Sequence, residues 1–159
     1  MKVAFIGHRR IEHSQKLKDG LIELITNLIN NENAETFLFG SKSEFDNLCY
    51  SVVSELKTFY PHIRRIYVRA EYQYIDKSYE DYLLQFYEDT YFPSEVEGAG
   101  KLTYIKRNQV LIDRCDLLVA YCDENYQPKS KRGKVNSGTK TAVDYAKKKH
   151  TRIINLFDL

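Results

Sequence analysis

Tryptophan is absent from the chain, methionine occurs once, and 159 residues include only 3 prolines, 7 glycines and 3 cysteines. So little proline and glycine excludes a collagen-like or low-complexity chain. The cysteines, Cys49, Cys115 and Cys122, are odd in number and lack metal-type pairing, which excludes a disulfide framework and leaves no metal site expected. Two of them lie in or beside apolar runs, so they read as core thiols, with a catalytic cysteine the lesser alternative. No run approaches the roughly 18 apolar residues of a membrane span. Met-Lys-Val leads directly into a strand-like run rather than a signal peptide, and a cytoplasmic protein with no membrane contact is expected. Charge of one sign is also lacking: 24 basic residues against 22 acidic leave +2, so nucleic acid is disfavoured as a partner and any basic site must be local.

Apolar residues make up 43% of the chain, enough for one core, and residues 1–159 are expected to form a single domain. Tyrosine is abundant, 13 residues, many of them between Tyr72 and Tyr91. Such a cluster serves as packing, as a partner surface or as a base-stacking wall. Exposed aromatics between Tyr72 and Phe92 would point to a homo-oligomer.

Apolar runs and turn residues alternate along the chain. Lys2 to Ile6, ended by Gly7, has the pattern of a strand buried on both faces. Ser14 is a candidate N-cap for a helix carrying Leu17, Leu21, Leu24, Ile25, Leu28 and Ile29, ended by the polar run Asn30 to Asn33. Thr36 to Phe39 is a second strand, stopped by Gly40. Ser43 caps a second helix with Phe45, Leu48, Val52, Leu56 and Phe59 along one face, closed by Pro61. Ile63 to Arg69 is a third strand, mixed enough in polarity to lie near a sheet edge. Asp76 to Asp89 can be helical, within a loose tyrosine-rich connection over about 70–100 that holds Pro93, Gly98 and Gly100. Lys101 to Arg114 is the next helix, Asp116 to Tyr121 the fourth strand, and Arg152 to Phe157 the fifth. These elements predict an α/β fold, a Rossmann-like three-layer sandwich on a five-stranded, mainly parallel sheet in the order 3-2-1-4-5.

In such a sheet ligands bind outside the carboxyl ends of the strands, where the strand order reverses. Gly7, His8 and Arg9 are expected on one side of that crevice, with Cys122, Asp123 and the helix opened by Ser137, Gly138 and Thr139 on the other. The loop after the second strand adds Gly40, Ser41 and Asp46. A Gly-Thr helix start can offer free amides to a phosphate, although it is equally an ordinary loop glycine and cap. Arg107 and Asn108 offer a guanidinium and an amide to a ligand, or else they brace the residues that touch it or form a solvated helix face. His8 is a turn residue or a ligand donor. Asp46 is an acceptor for a ribose hydroxyl or a carboxylate answering the helix dipole. Lys129, Lys131, Arg132 and Lys134 either close over a pyrophosphate or are simply solvated.

Taken together, Phe5-Ile6-Gly7-His8-Arg9, the Gly40 to Asp46 segment, Arg107-Asn108 before Asp116-Leu-Leu-Val-Ala, and Ser137-Gly138-Thr139 before Ala142-Val-Asp-Tyr-Ala146 resemble the SLOG superfamily. Within it the chain is most similar to the bacterial YpsA-like proteins, over nearly its whole length. The resemblance implies a Rossmann-like fold and a nucleotide or nucleotide-derived ligand. Relatives include the LOG phosphoribohydrolases, which cut the N-glycosidic bond of nucleoside monophosphates, and, further off, the single-stranded-DNA-binding DprA proteins. By the same resemblance Gly138 and Thr139 match the phosphate-binding Gly-Thr, Arg107 the ligand-contacting arginine, and Gly7 and His8 the first ligand-facing loop. Thr141 and Ala142 stand where the LOG enzymes carry a glutamate, and Asn136-Ser137 stands in place of their doubled glycine. Water activation or oxocarbenium stabilisation then has no evident counterpart. The expectation is a binding protein, a sensor or regulator, for a nucleoside phosphate, NAD or ADP-ribose type of ligand, with no other cofactor evident. The alternatives are N-glycosidic hydrolysis with Asp46 or Asp123 as substitute carboxylate, and a single-stranded-DNA-binding or protein-interaction module.

Overall fold

Strand and helix do alternate as the apolar runs require. The computed structural model describes residues 1–126 and 137–159. Its first half contains β1 (Lys2–Gly7), α1 (Gln15–Glu32), β2 (Thr36–Phe39), α2 (Glu44–Lys57) and β3 (Arg64–Val68). The second half contains α3 (Lys77–Leu83), β4 (Asp89–Tyr91), α4 (Thr103–Arg114), β5 (Leu117–Tyr121), α5 (Gly138–Lys148) and β6 (Arg152–Asn155). The strands form one sheet in the order β4-β3-β2-β1-β5-β6, and every neighbouring pair is parallel.

The α/β class, the central position of β1 and the reversal of strand order beside it agree with expectation; the strand number does not. The sheet has six strands rather than five, because the tyrosine-rich connection contributes β4. That strand is three residues long, begins with an aspartate and has no apolar run to announce it. It forms because β3 offers an open edge, with Ile66 opposite Asp89 and Val68 opposite Tyr91. An ion pair fastens its entry: Arg65 Nη2 lies 2.9 Å from Glu88 Oε1, and Lys57 Nζ lies 3.1 Å from the same oxygen. Burial alone would raise the Glu88 carboxyl, yet the hydrogen bonds from Arg65 and Lys57 outweigh it and hold the group at about 2. β3 thus lies near a sheet edge, as its mixed polarity suggested, but one place in from it, with Arg65 paired to Glu88 beside the edge strand. For the same reason the helix expected over Asp76 to Asp89 stops at Leu83.

Smaller differences lie at element ends. α4 begins at Thr103, after a short 3-10 turn over Gly100–Leu102, rather than at Lys101. The last strand ends at Asn155, and Leu156–Asp158 form another such turn. Phe59 falls beyond the end of α2 and is 77% exposed, so it is not part of that helix's buried face. The expected caps do form: Ser14 Oγ accepts from the Leu17 amide, and Ser43 Oγ from the Asp46 amide.

Because side chains alternate across a strand, each strand feeds two cores. Val3, Phe5, Phe37, Phe39, Leu117 and Val119 pack with α1 and α2 on one face. Ala4, Ile6, Leu38, Val68, Leu118 and Ala120 pack with α4 and α5 on the other. Phe5 stacks between Phe37 and Phe39, with ring centroids 6.1 and 5.2 Å away. At its carboxyl end β1 runs so close to α2 that a Cβ on Gly7 would lie 2.3 Å from the buried Phe45 ring.

Gly7→Ala should therefore destabilise the protein by about 1–3 kcal/mol in urea titrations, as an overpacked core does. Gly20→Ala, in the middle of α1 with open space where its Cβ would go, should instead stabilise by about 0.5–1 kcal/mol. Equal effects would contradict the close approach at Gly7.

Candidate functional site

The carboxyl ends of β1, β2, β3 and β5 open on the same edge of the sheet, because all the strands are parallel. At the end of β1, His8 is buried. Its amide donates to the Tyr121 carbonyl at 3.3 Å, and its Nε2 accepts from the Asp123 amide at 2.8 Å. The ring lies against Tyr126, with centroids 4.4 Å apart. Burial lowers the His8 pKa against the opposing pull of Asp123, consistent with a neutral ring carrying its proton on Nδ1. His8 thus stitches the ends of β1 and β5 together, and only Nδ1 remains for other work. Arg9 has an exposed side chain, and its carbonyl accepts from the Glu44 amide at 2.8 Å, tying this loop to the start of α2.

At the end of β2 the structure brings four of the expected residues together. Arg107, on the first turns of α4, is 5% exposed; its Nη1 donates to the Gly40 carbonyl and its Nε to Asn108 Oδ1 at 3.0 Å. Its guanidinium lies 5.8 Å from the Tyr104 ring centroid. Gly40 is required there, since a Cβ would come within 2.7 Å of Arg107 Cδ. Ser41 Oγ lies 3.2 Å from Ser43 Oγ, at the start of α2. Asp46 is 4% exposed, and its Oδ1 has no hydrogen-bond partner among the described residues. Burial pushes the Asp46 carboxyl well up, with Arg107 and the polar groups of Gly40 and Ser41 acting in the opposite direction. Burial lowers the Arg107 pKa as well, against the pull of Tyr67 and Asp46. An acid and a base are thus buried near one another, with no direct ion pair between them among the described residues.

At the start of α5, Ser137 rather than Thr139 is the cap, its Oγ accepting from the Lys140 amide at 3.0 Å. Gly138 is exposed, and Thr139 is buried. Asn108 and Gly138 line one cleft between α4 and α5, which closes down to about 10 Å³, room for a single water. The start of α5 therefore abuts the middle of α4, and a ligand at Gly138 would lie over the two helices rather than between them. Asn136 and the basic residues Lys129, Lys131, Arg132 and Lys134 lie outside the described residues.

A larger space opens one step along the sheet, over the loops that follow β2 and β3. This cavity of about 460 Å³ is lined by Lys42, Glu71, Tyr72, Tyr74, Ile75, Asp76 and Tyr79. Its lining residues were not singled out as site residues from the sequence, although the density of tyrosine signalled the segment. Tyr104 joins the cavity to the buried arginine, because its hydroxyl is hydrogen bonded to Glu71 while its ring faces Arg107.

Fold and site together define an α/β protein of the parallel, Rossmann-like type, with polar side chains beyond the carboxyl ends of its strands. No protein-family model matches the chain. It is similar to YoqJ, described as an uncharacterized SPbeta prophage-derived protein of Bacillus subtilis (strain 168), at 27% identity over 150 residues, covering 84% of this chain and 81% of that protein. Among the described residues no helix is long and apolar enough to cross a membrane.

The Asp46 environment has a pH signature. A carboxyl raised in the folded state stabilises the protein fully below the ordinary carboxylate range and loses that stability as pH rises through the folded pKa. Above about pH 4 the wild type should lose stability relative to Asp46→Asn, by at most about 1.4 kcal/mol per pH unit. Urea titrations of both proteins between pH 4 and 8 check this, and parallel profiles would count against a protonated Asp46.

Proposed function

We propose that the chain is a cytoplasmic member of the SLOG superfamily, most similar to the YpsA-like proteins, that binds a nucleotide or nucleotide-derived ligand along the carboxyl edge of its sheet. A nucleoside phosphate, NAD or ADP-ribose type of ligand fits this reading, as does a sensor or regulatory role. The observation that carries it is the pair Asp46 and Arg107. Burying two ionisable groups without direct pairing is costly, and a fold has little reason to keep them unless a polar ligand completes their hydrogen bonding. Arg107 would then meet the ligand's oxygens while Asp46 takes a sugar hydroxyl. The start of α5 favours an anion: Ser137 satisfies the Lys140 amide, and the Gly138 and Thr139 amides precede it at the positive end of the helix dipole. Asn108, beside Gly138, can donate its side-chain amide to the same group. Self-association through the exposed tyrosines is part of the same reading.

A second reading, N-glycosidic hydrolysis, draws on the burial of Asp46: a carboxyl whose pKa is raised by burial is suited to general-acid work on a leaving base. Asp123 is less suited, because its Oδ1 already accepts from the Asn125 amide at 2.9 Å.

Calorimetry with nucleoside phosphates, NAD and ADP-ribose should show binding by the wild type and a loss of about tenfold or more in Arg107→Ala, the scale of one charge-assisted hydrogen bond. Gly138→Glu separates a phosphate site from an ordinary helix start. The added carboxylate should leave the fold intact or stabilise it by roughly 0.3–1 kcal/mol, since it complements the dipole, yet repel a phosphate and weaken binding. Binding of none of these compounds by folded wild-type protein would remove the proposal. Chromatographic release of free base from nucleoside monophosphates, abolished in Asp46→Asn, would establish the hydrolytic reading in its place.

A further inference from the structure

The tyrosine-walled cavity over the ends of β2 and β3 lies beside the site proposed above and takes no part in it. Its volume of about 460 Å³ falls within the roughly 300–1,000 Å³ of small-molecule sites. Three tyrosines form its walls. Tyr79 is held in place by Tyr72, edge-on at 6.1 Å, and by Tyr82, stacked at 6.2 Å. Tyr74 is 87% exposed. Its ring face is therefore open to a stacking partner.

The backbone strengthens this point. Tyr72 has φ of 60°, in the left-handed region that a bulky side chain rarely adopts. A buried arginine holds it there: Arg69 Nε donates to the Tyr72 carbonyl at 3.3 Å, and Arg69 Nη1 to Thr90 Oγ1 at 3.0 Å. The loop is thus held in a costly shape from below, which fixes where its tyrosines project.

Charge decides what the cavity accepts. Glu71 and Asp76 outweigh Lys42 on its lining, so a phosphate is disfavoured inside it, whereas a neutral or cationic planar ring suits the tyrosine faces. Side-chain contacts link the lining of the cavity to the other site residues. Glu71 is bonded to Tyr104, Tyr104 faces Arg107, and Asn108 borders Gly138. From Tyr104 to Asn108 is about 6 Å along α4.

We infer that this cavity is a ring subsite: it receives the planar heteroaromatic base of the ligand, stacked on Tyr74 and Tyr72, while the phosphate points away toward α5. The inference rests on the nucleotide reading and deepens it, because it sets the ligand's direction in the crevice. It also requires a base-bearing ligand rather than a bare sugar phosphate.

Calorimetry with AMP, GMP, NAD and ADP-ribose, each against ribose 5-phosphate, tests it in the wild type, Tyr74→Ala and Tyr74→Phe. Tyr74 is exposed, so both variants should fold as the wild type does, which circular dichroism checks. The expected result is that base-bearing ligands bind the wild type about tenfold or more tightly than ribose 5-phosphate. Tyr74→Ala should erase that advantage without changing ribose 5-phosphate binding, and Tyr74→Phe, which keeps the stacking face, should preserve it. Equal binding of ligands with and without a base by the wild type, or an unchanged advantage in Tyr74→Ala, overturns the ring subsite and leaves the phosphate end standing. Binding of none of the compounds by the wild type overturns both.

Discussion

β1 has a strand on each side and helices over both faces, so each of its backbone polar groups must be paired and each side chain packed. That double burial is the constraint on which the rest depends. It admits only apolar residues from Val3 to Ile6, placing Val3 and Phe5 toward α1 and α2 and Ala4 and Ile6 toward α4 and α5. It also forces a glycine where the strand leaves the sheet, since Phe45 occupies the space a side chain would need. The residue after that glycine emerges at the reversal of strand order, beside β5.

From that point the polar edge is assembled by contacts between loops. His8 reaches across to Asp123, the Arg9 carbonyl to Glu44, and Arg107 to the Gly40 carbonyl. Each contact joins segments far apart in the chain, and together they tie the ends of β1, β2 and β5 to the start of α2 and to α4. Asp46 and Arg107 are the costly members. Desolvation works against the charged form of both, and Asp46 Oδ1 has no compensating partner among the described residues. Arg107 offsets part of its cost by joining α4 to the end of β2, whereas nothing among the described residues does the same for the buried Asp46 oxygen.

Where the sequence misled, the cause was consistent. β4 has almost no intrinsic strand character; it exists because β3 presents an open edge and because Arg65 and Lys57 anchor Glu88 one residue before it. The cavity walled by Tyr72, Tyr74 and Tyr79 was visible only as a density of tyrosine in a loose segment. Its shape depends on a left-handed backbone at Tyr72 that the buried Arg69, three residues earlier, holds while bonded to Thr90 of β4. His8 was legible as a turn residue or a donor, but not as the bond between two strand ends.

The sequence by itself determined the α/β class, the caps at Ser14 and Ser43 and the central place of the first strand. All of these follow from local periodicity, glycine placement and the handedness of parallel crossovers, which act over a few residues or one connection. Only the tertiary structure decided the sixth strand, the burial of Asp46 with an unsatisfied oxygen, the clamp of Arg107 on Gly40 and the tyrosine cavity. Desolvation, edge pairing and backbone strain depend on what the rest of the chain brings alongside, and no stretch of sequence carries that information alone.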